Sequence, residues 1–405
     1  MLARREWMLL ALLLAAPIPA AANNLITDWD EKALSILQPG PAAVPTANRA
    51  MAILHVAMFD AVNSIEPRYK PYEIRLAATP DTSKEAAAAS AAAAVLIKLV
   101  PDAAADVQSI LTNFLATLPE GEAKSKGIQL GQAVAAKILE ARDKDGASAA
   151  DAYRPKTRPG VYIPTPITVG WQFATMTPFA LASPWQFRAK PPPSLKSAEW
   201  ARDYNEIKEL GAKNSTKRTA RQTEDARFWL LVGPRAYNPM ARQIVTAKNM
   251  DLVDSARFMA LFSMATVDAL IAVFDAKYKY EFWRPITAIR NGDIDSNPAT
   301  ERDASWQPID VTPMHPEYPC AHCIISSSVA AVIKGLLGSD EIPEVSLTSP
   351  FVPGVTHRFT DLRAYTDEVA NARICAGFHY RFSAVAGREM GQKIDDAADA
   401  NRNDT

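Results

Sequence analysis

The sequence predicts an all-α protein, in which two helical bundles pack together with an irregular segment between them. Apolar residues recur at helical spacing along most of the 405-residue chain, and no stretch shows a convincing strand pattern. The region about 146–195 is instead rich in proline and aromatic residues, which suits neither a helix nor a central strand. Helices joined by polar loops are typical of bundle folds.

The N-terminus has the features of a secretory signal. Arg4 and Arg5 precede a short apolar run, and small residues that resemble a cleavage site end at Ala22. We therefore expect a signal peptide over 1–22 and a helical domain over 23–405, exported and periplasmic. The apolar run is too short to span a bilayer comfortably, so no stable membrane anchor is expected.

The composition excludes some classes of partner. Apolar residues make up 48% of the chain, charged residues 22%, and the net charge is −1. This is an ordinary composition for a soluble helical protein and gives no reason to expect nucleic acid. The irregular segment could form a pocket rim or a subunit contact, and the latter would make a homodimer.

The helices are predicted in chain order from apolar spacing and end signals. The N-terminal bundle, about 40–145, contains four predicted helices: Asn48–Ile65, Ser83–Val100, Ala103–Leu118 and Gly121–Lys144. The second bundle, about 196–400, contains the remaining ones, apart from a polar loop over Arg290–Pro316: Ser197–Ala212, Gln222–Leu231, Arg235–Asn249, Asp251–Tyr280, Cys320–Leu337, Leu362–Cys375 and His379–Ala398.

The helix that follows Pro319 begins with an unusual group of side chains. Proline suits the first helical position, so Cys320, Ala321 and His322 are predicted in the first turn. Free N–H groups and the helix dipole make such a turn favourable for an anion. In an oxidising compartment the three cysteines allow one disulfide, and the sequence leaves both Cys320–Cys323 and Cys323–Cys375 open.

Two further segments carry cations and a second histidine. In KYKYEFWRP, Lys277 and Arg284 are seven residues apart, so they would share a face of a helix before Pro285 turns the chain. In ARICAGFHYRFS, Arg373 and His379 are six apart, and a helix break at Gly377 would let them converge. Two arginines and a lysine suit a multiply charged oxyanion, beside which two histidines could divide bonding and proton transfer.

The three segments in this order resemble the vanadium-dependent haloperoxidases, which have K-x6-R-P, then P-S-G-H, then R-x5-H. The same superfamily contains type 2 phosphatidic acid phosphatases and bacterial acid phosphatases. EFWRP at Glu281–Pro285 and GFHYRF at Gly377–Phe382 resemble the haloperoxidase branch in particular. The resemblance implies a vanadate-dependent haloperoxidase that oxidises halide with hydrogen peroxide. It also leaves open an acid phosphatase that hydrolyses a phosphomonoester through a phosphohistidine, and a non-catalytic oxyanion-binding relative.

The resemblance also implies a role for each matching residue. His379 matches the axial vanadium ligand, or the nucleophile of the phosphatases, and His322 matches the acid–base histidine. The backbone N–H of Ala321 falls where the family has a glycine amide. The remaining matches would hold vanadate, or phosphate at the same site: Lys277, Arg284, Cys320 and Arg373.

This chain departs from the family pattern at the helix start and after the ligand histidine. Cys320 replaces the family serine and Ala321 its glycine, and a thiol is a weaker hydrogen-bond donor that peroxide can oxidise. Ser383 stands where the phosphatases and some haloperoxidases have an acidic residue, so a carboxylate that orients His379 would have to come from elsewhere. A zinc or thiol site at Cys320, His322, Cys323 and His315 is a further hypothesis, but it lacks an evident second ligand pair.

Overall fold

A computed structural model describes residues 24–37, 44–164 and 166–400, with side chains up to residue 394. These residues form thirteen α-helices and one two-stranded antiparallel sheet, which confirms the predicted class. The predicted signal peptide lies outside the described residues. The helices are α1 Leu25–Ile36, α2 Val44–Ile65, α3 Lys84–Leu99, α4 Ala104–Leu115, α5 Glu122–Ala141, α6 Ala198–Leu210, α7 Ala220–Phe228, α8 Pro234–Ala247, α9 Leu252–Tyr280, α10 Pro285–Arg290, α11 Ala321–Leu337, α12 Leu362–Cys375 and α13 Arg381–Ala400.

Helix α9 is the element that both groups of helices share. On one side it packs against α2, behind which lie α3 and α5, and on the other it packs against α11 and α13. By length and composition α9 could cross a membrane, but its most apolar stretch is wholly buried inside the protein. Asp251 caps its N-terminus by accepting a hydrogen bond from the N–H of Asp254. Thus α9 is the central core helix, and its C-terminal end delivers side chains to the site described below.

The proline-rich segment is ordered by contacts with α9. The carboxylate of Asp268 on α9 accepts hydrogen bonds from the backbone N–H groups of Phe179, Ala180 and Leu181, at 2.7, 2.7 and 2.9 Å. Asp268 is completely buried, and burial raises the pKa of its carboxyl group to about 6. A buried carboxylate therefore replaces regular secondary structure in satisfying this backbone.

Helix α1 was not predicted because its apolar pattern is interrupted by charge. Asp30 on α1 is fully buried, where His55 of α2 contacts it at 2.9 Å. Asn238 and Arg242 of α8 donate hydrogen bonds to the same carboxylate, at 2.6 and 2.7 Å. A charged side chain that faces the core removes the periodicity on which the prediction depends.

The expectation of no strand was wrong, because the chain forms a hairpin after α11. Its strands are β1 Glu341–Thr348 and β2 Thr356–Asp361, with Val345 opposite Phe359 and Leu347 opposite His357. Pro343 lies inside β1, where the register shifts between Glu341 and Val345. Proline argues against a strand in sequence but is tolerated at such an irregularity.

Candidate oxyanion site

The link between α9 and α10 carries the first two predicted cations. Lys277 lies in the last turn of α9, whereas Arg284 is an extended residue between α9 and α10. Pro285 begins α10, as its effect on the preceding residue predicts. The two residues would share a face only on an unbroken helix, but α9 ends at Tyr280, as predicted, and the chain turns at Glu281, whose φ is 49°.

The Lys277 ammonium group is fully buried and faces backbone oxygens. It donates hydrogen bonds to the carbonyl oxygens of Pro316 at 3.0 Å, Glu317 at 2.7 Å and Pro319. These bonds fix the loop that leads into α11. Burial, followed by the charge of Arg284, holds the pKa of Lys277 well below its usual value.

Arg284 is also buried and joins two loops. Its Nε donates to the carbonyl oxygen of His315 at 2.9 Å, and its Nη1 donates to the carbonyl oxygen of Phe378 at 3.0 Å. The same Nη1 lies 3.4 Å from Nε2 of His379. Burial lowers the pKa of Arg284 to about 10, which still leaves it charged at neutral pH. The structure thus brings two of the predicted residues, Arg284 and His379, into contact.

At the start of α11 the structure corrects one expectation and decides between the two disulfides that the sequence left open. Pro319 does not begin the helix, because Cys320 is its N-cap and Ala321 its first residue. Cys320 is joined to Cys323 in a disulfide, and Cys375 is a buried thiol outside it. Cys320 therefore has no S–H to donate to an oxyanion, and its backbone N–H donates to the carbonyl oxygen of Ser383 at 3.2 Å. The disulfide also removes the thiolates that the hypothetical zinc site needs.

The third segment breaks where the sequence predicts. Helix α12 ends at Cys375, Gly377 has a φ of 79°, and α13 begins at Arg381. Arg373 therefore belongs to the last turn of α12, while His379 lies in the link before α13 rather than inside a helix. Residues other than glycine adopt such a positive φ only at a cost in conformational free energy. This break allows Arg373 and His379 to face the same region.

A carboxylate that the sequence analysis did not name orients His379. Oε1 of Glu317 lies 2.7 Å from Nδ1 of His379 and also accepts a hydrogen bond from the N–H of Tyr380 at 3.2 Å. Glu317 is fully buried, and burial raises the pKa of its carboxyl group to about 7. It supplies from the loop before α11 the orienting group that Ser383 cannot supply. In the sequence, only the position of Glu317 between Pro316 and Pro319 could have indicated this role.

The two predicted site histidines are uncharged at neutral pH. Burial, followed by the charge of Arg284, holds the pKa of His379 well below its usual value. Burial, followed by the charge of Arg373, does the same for His322. Nε2 of His322 lies 3.3 Å from the carbonyl oxygen of Leu231, so this nitrogen carries the proton and Nδ1 the lone pair. Nδ1–H of His379 faces Glu317, which leaves the lone pair at Nε2.

A cavity of about 480 Å³ opens onto these residues. Of the predicted site residues it is lined by Ala321, His322, Arg373 and His379, together with His315. Lys277, Arg284 and Cys320 are not among its lining residues. Much of the remaining wall is apolar and includes Leu231, Leu270, Phe274, Ile325 and Phe378.

The charges of this region fit a bound oxyanion. Three basic side chains, Lys277, Arg284 and Arg373, are buried in this region. One buried carboxyl group, Glu317, feels the charges of Lys277 and Arg284. Nε of Arg373 is buried without a hydrogen-bond partner among the described residues, although its Nη1 donates to the carbonyl oxygen of Trp229. An unpaired buried guanidinium N–H is costly unless an acceptor meets it. Vanadate or phosphate could provide that acceptor and balance the buried charge.

The fold is that of an all-α protein, and the buried basic side chains beside its cavity fit an oxyanion. Residues 257–404 match the family model of the second helical-bundle domain of vanadium chloroperoxidase. The chain is also similar to the vanadium chloroperoxidase of Curvularia inaequalis, with 27% identity over 272 residues, or 50% of this chain. The match spans 44% of that enzyme's length.

Two solved structures share the fold. A bacterial vanadium-dependent iodoperoxidase superimposes with a TM-score of 0.78 at 23% identity, over 93% of this chain and 95% of that one. A holo-type bacterial vanadium-dependent chloroperoxidase gives 0.69 at 18% identity, over 93% and 96%. These likenesses confirm the fold, and the family model and the curated relative support the resemblance that the three motifs indicate. The chain is thus similar to the vanadium-dependent haloperoxidases in its second helical bundle and in its overall fold.

Proposed function

We propose that this protein is an exported, vanadate-dependent haloperoxidase that oxidises halide with hydrogen peroxide. The proposal depends chiefly on one arrangement, in which neutral His379 is held at Nδ1 by Glu317 while its Nε2 lies beside the Arg284 guanidinium. Arg284 and Arg373 would bind and orient the oxyanion by charge-assisted hydrogen bonds. Bound vanadate would supply a Lewis-acid centre that activates hydrogen peroxide towards halide.

Within this proposal the neutral His322 transfers protons. It lines the same cavity as His379, and its Nδ1 is the nitrogen with the lone pair. Because its pKa is depressed, the neutral imidazole of His322 would hold an accepted proton only transiently. It would then return this proton to the oxygen that leaves, as a general acid–base group does. Apolar side chains around the cavity limit the access of bulk water to this exchange.

The cavity walls favour halide over a phosphomonoester as the substrate. A large halide ion is weakly hydrated and tolerates apolar walls, whereas a phosphomonoester needs polar partners beyond its phosphate group. Phosphatase chemistry remains the second candidate, because a histidine oriented by a buried carboxylate also suits a nucleophile that forms a phosphohistidine. The contact between Glu317 and His379 is the observation that favours it.

One preparation can separate these functions. The full-length protein is loaded with vanadate and assayed with hydrogen peroxide, a phenolic dye and chloride, bromide or iodide in turn. Halogenation that requires both halide and vanadate supports the proposal, and its absence with every halide overturns it. Hydrolysis of p-nitrophenyl phosphate that vanadate inhibits would instead support the phosphatase. Phosphate binding without either turnover would indicate a non-catalytic relative.

A further inference from the structure

A second group of ionisable side chains lies outside the oxyanion site, where α7, β2 and α12 meet. It consists of His357 on β2, Glu224 and Asp225 on α7, and Glu368 on α12. His357 is a strand residue with only 2% of its surface exposed. Its ring stacks on Phe228, with 3.8 Å between the ring centroids.

The two nitrogens of His357 have different surroundings. Nδ1 lies 2.6 Å from Oε1 of Glu368, which fixes the tautomer with the proton on Nδ1. Nε2 is buried and has no hydrogen-bond partner in the part of the chain that the structure describes. It faces Oε1 of Glu224 at 3.7 Å and Oδ1 of Asp225 at 3.9 Å. A lone pair therefore points between two carboxylates.

From this arrangement we propose that Glu224, Asp225 and His357 bind a divalent metal ion of the zinc type. One ligand atom from each residue lies within 4.8 Å of the other two. Ligands bound to Zn²⁺ at about 2.0–2.2 Å lie roughly 3–4 Å from one another, so small side-chain movements would close the site. One imidazole and two carboxylates suit Zn²⁺ or Mn²⁺ better than Ca²⁺, which prefers oxygen ligands alone.

The charge around His357 also favours a cation. Arg221 contacts all three carboxylates from the solvent side. Its Nε lies 2.7 Å from Oδ1 of Asp225, its Nη1 lies 3.1 Å from Oε1 of Glu224, and its Nη2 lies 3.1 Å from Oε2 of Glu368. Its side chain is 57% exposed, so it can turn outwards when a metal binds. It balances only one of three negative charges.

A metal here would join two elements that are distant in sequence, α7 and β2. Glu368 accepts a hydrogen bond from Nε1 of Trp229 at 2.9 Å, and the carbonyl oxygen of Trp229 accepts one from Arg373. The bound ion would therefore fix α7 and β2 against the helix that carries Arg373. This inference is independent of the reaction proposed above, because it concerns separate side chains.

The test is Zn²⁺ binding to the full-length protein after treatment with a chelator and dialysis, without vanadate or phosphate. We expect one Zn²⁺ ion per chain at this site and a higher midpoint of thermal unfolding. Glu224→Gln and Asp225→Asn should each weaken binding at least about tenfold. Glu344→Gln, an exposed carboxylate on β1, should not change it, and neither should His322→Gln in the oxyanion site.

Circular dichroism of each metal-free variant separates a lost ligand from a lost fold. Glu224 is partly exposed, so Glu224→Gln is the variant that we expect to fold normally. Co²⁺ in place of Zn²⁺ should give visible absorption in the wild type that Glu224→Gln alters. Absence of Zn²⁺ binding would overturn the proposal. Binding that only His322→Gln abolishes would also overturn it.

Discussion

Nδ1 of His379 lies 2.7 Å from Oε1 of Glu317, and both side chains are buried. The two residues are 62 positions apart, and the loop before α11 and the link before α13 bring them together. The contact fixes the tautomer of His379 and aims its Nε2 at the region of Arg284. It also places a carboxyl group that burial makes hard to ionise next to two buried basic side chains, Lys277 and Arg284.

Glu317→Gln should change how stability depends on pH. The folded-state pKa of Glu317 is about 7, above the ordinary value of 4.5. Native protein therefore holds a proton that unfolded protein releases between these values, so this stabilising contribution is present below pH 4.5 and lost as pH rises through 7. Relative to Glu317→Gln, the wild type should lose about 1–3 kcal/mol of unfolding free energy from pH 5 to pH 8.

Urea denaturation of both proteins at pH 5, 6, 7 and 8 measures this difference. Glu344→Gln removes an exposed carboxylate whose side chain is 56% accessible, and it should follow the wild-type profile. Parallel profiles for the wild type and Glu317→Gln would contradict the assignment of a proton to Glu317 in the native state.

His322→Gln should reduce turnover much more than oxyanion binding. His322 is neutral in the free protein, so its removal leaves the charge of the pocket unchanged. Loss of a general acid–base group lowers turnover by about 100- to 10,000-fold. We expect that loss in the vanadate-loaded peroxidase assay, with the phosphate dissociation constant changed only a few-fold in calorimetry. A comparable loss of affinity would show instead that His322 holds the anion.

Arg373→Gln should weaken phosphate binding strongly. A hydrogen bond to a charged group contributes about 1.5–3 kcal/mol, which corresponds to about 10- to 150-fold in the dissociation constant. Arg381→Gln is the matched control, because Arg381 is 42% exposed and pairs with Glu206 at the surface. Calorimetric titration with phosphate compares the two, and equal affinities would remove Arg373 from the site. Far-ultraviolet circular dichroism checks that Arg373→Gln still folds.

The sequence predicted the helices well where apolar spacing was regular. Helix α12 was predicted with the observed bounds, and the break at Gly377 follows from a residue that tolerates positive φ. The predictions failed where a buried charge or a proline interrupts the pattern, as at Asp30 in α1 and Pro343 in β1. Such residues are satisfied by distant partners that spacing along the chain cannot reveal.

The candidate site was predictable in its composition but not in its contacts. The spacing of cations and histidines indicated an oxyanion pocket, and the structure gathers those residues in one region. Glu317 was missed because a lone glutamate among prolines has no pattern of its own. The separation of Lys277 from the cavity was missed as well, since it depends on three carbonyl oxygens of a loop whose path cannot be read from sequence.

Gly387→Ala should disturb the start of α11. A Cβ atom at Gly387 on α13 would lie 2.6 Å from the carbonyl oxygen of Cys320 and 3.1 Å from Cβ of Cys323. Helix backbone cannot yield as a flexible side chain does, so the unfolding free energy should fall by about 1–3 kcal/mol. The displacement would reach Ala321 and His322 and weaken phosphate binding.

Val385→Ala, on the same helix but 48% exposed, is the control and should leave both quantities nearly unchanged. Chemical denaturation and phosphate titration measure the two effects. If Gly387→Ala were as stable as the wild type, α11 and α13 could separate without loss of unfolding free energy. That result would contradict the close packing of the two helices.

The double substitution Cys320→Ser with Cys323→Ala should strengthen oxyanion binding. It restores the family serine at the N-cap of α11, where the hydroxyl can accept from the N–H of residue 323 and donate to a bound oxygen. One added hydrogen bond of about 0.5–1.5 kcal/mol should lower the dissociation constant of phosphate or vanadate roughly 2- to 10-fold. Loss of a disulfide that closes so short a loop should cost about 2 kcal/mol of unfolding free energy or less.

Cys320→Ala with Cys323→Ala is the matched control, because it removes the disulfide without adding a hydroxyl. Equal affinities of the two double variants would show that the hydroxyl of the family pattern has no part in this pocket, and that the disulfide replaces serine without loss.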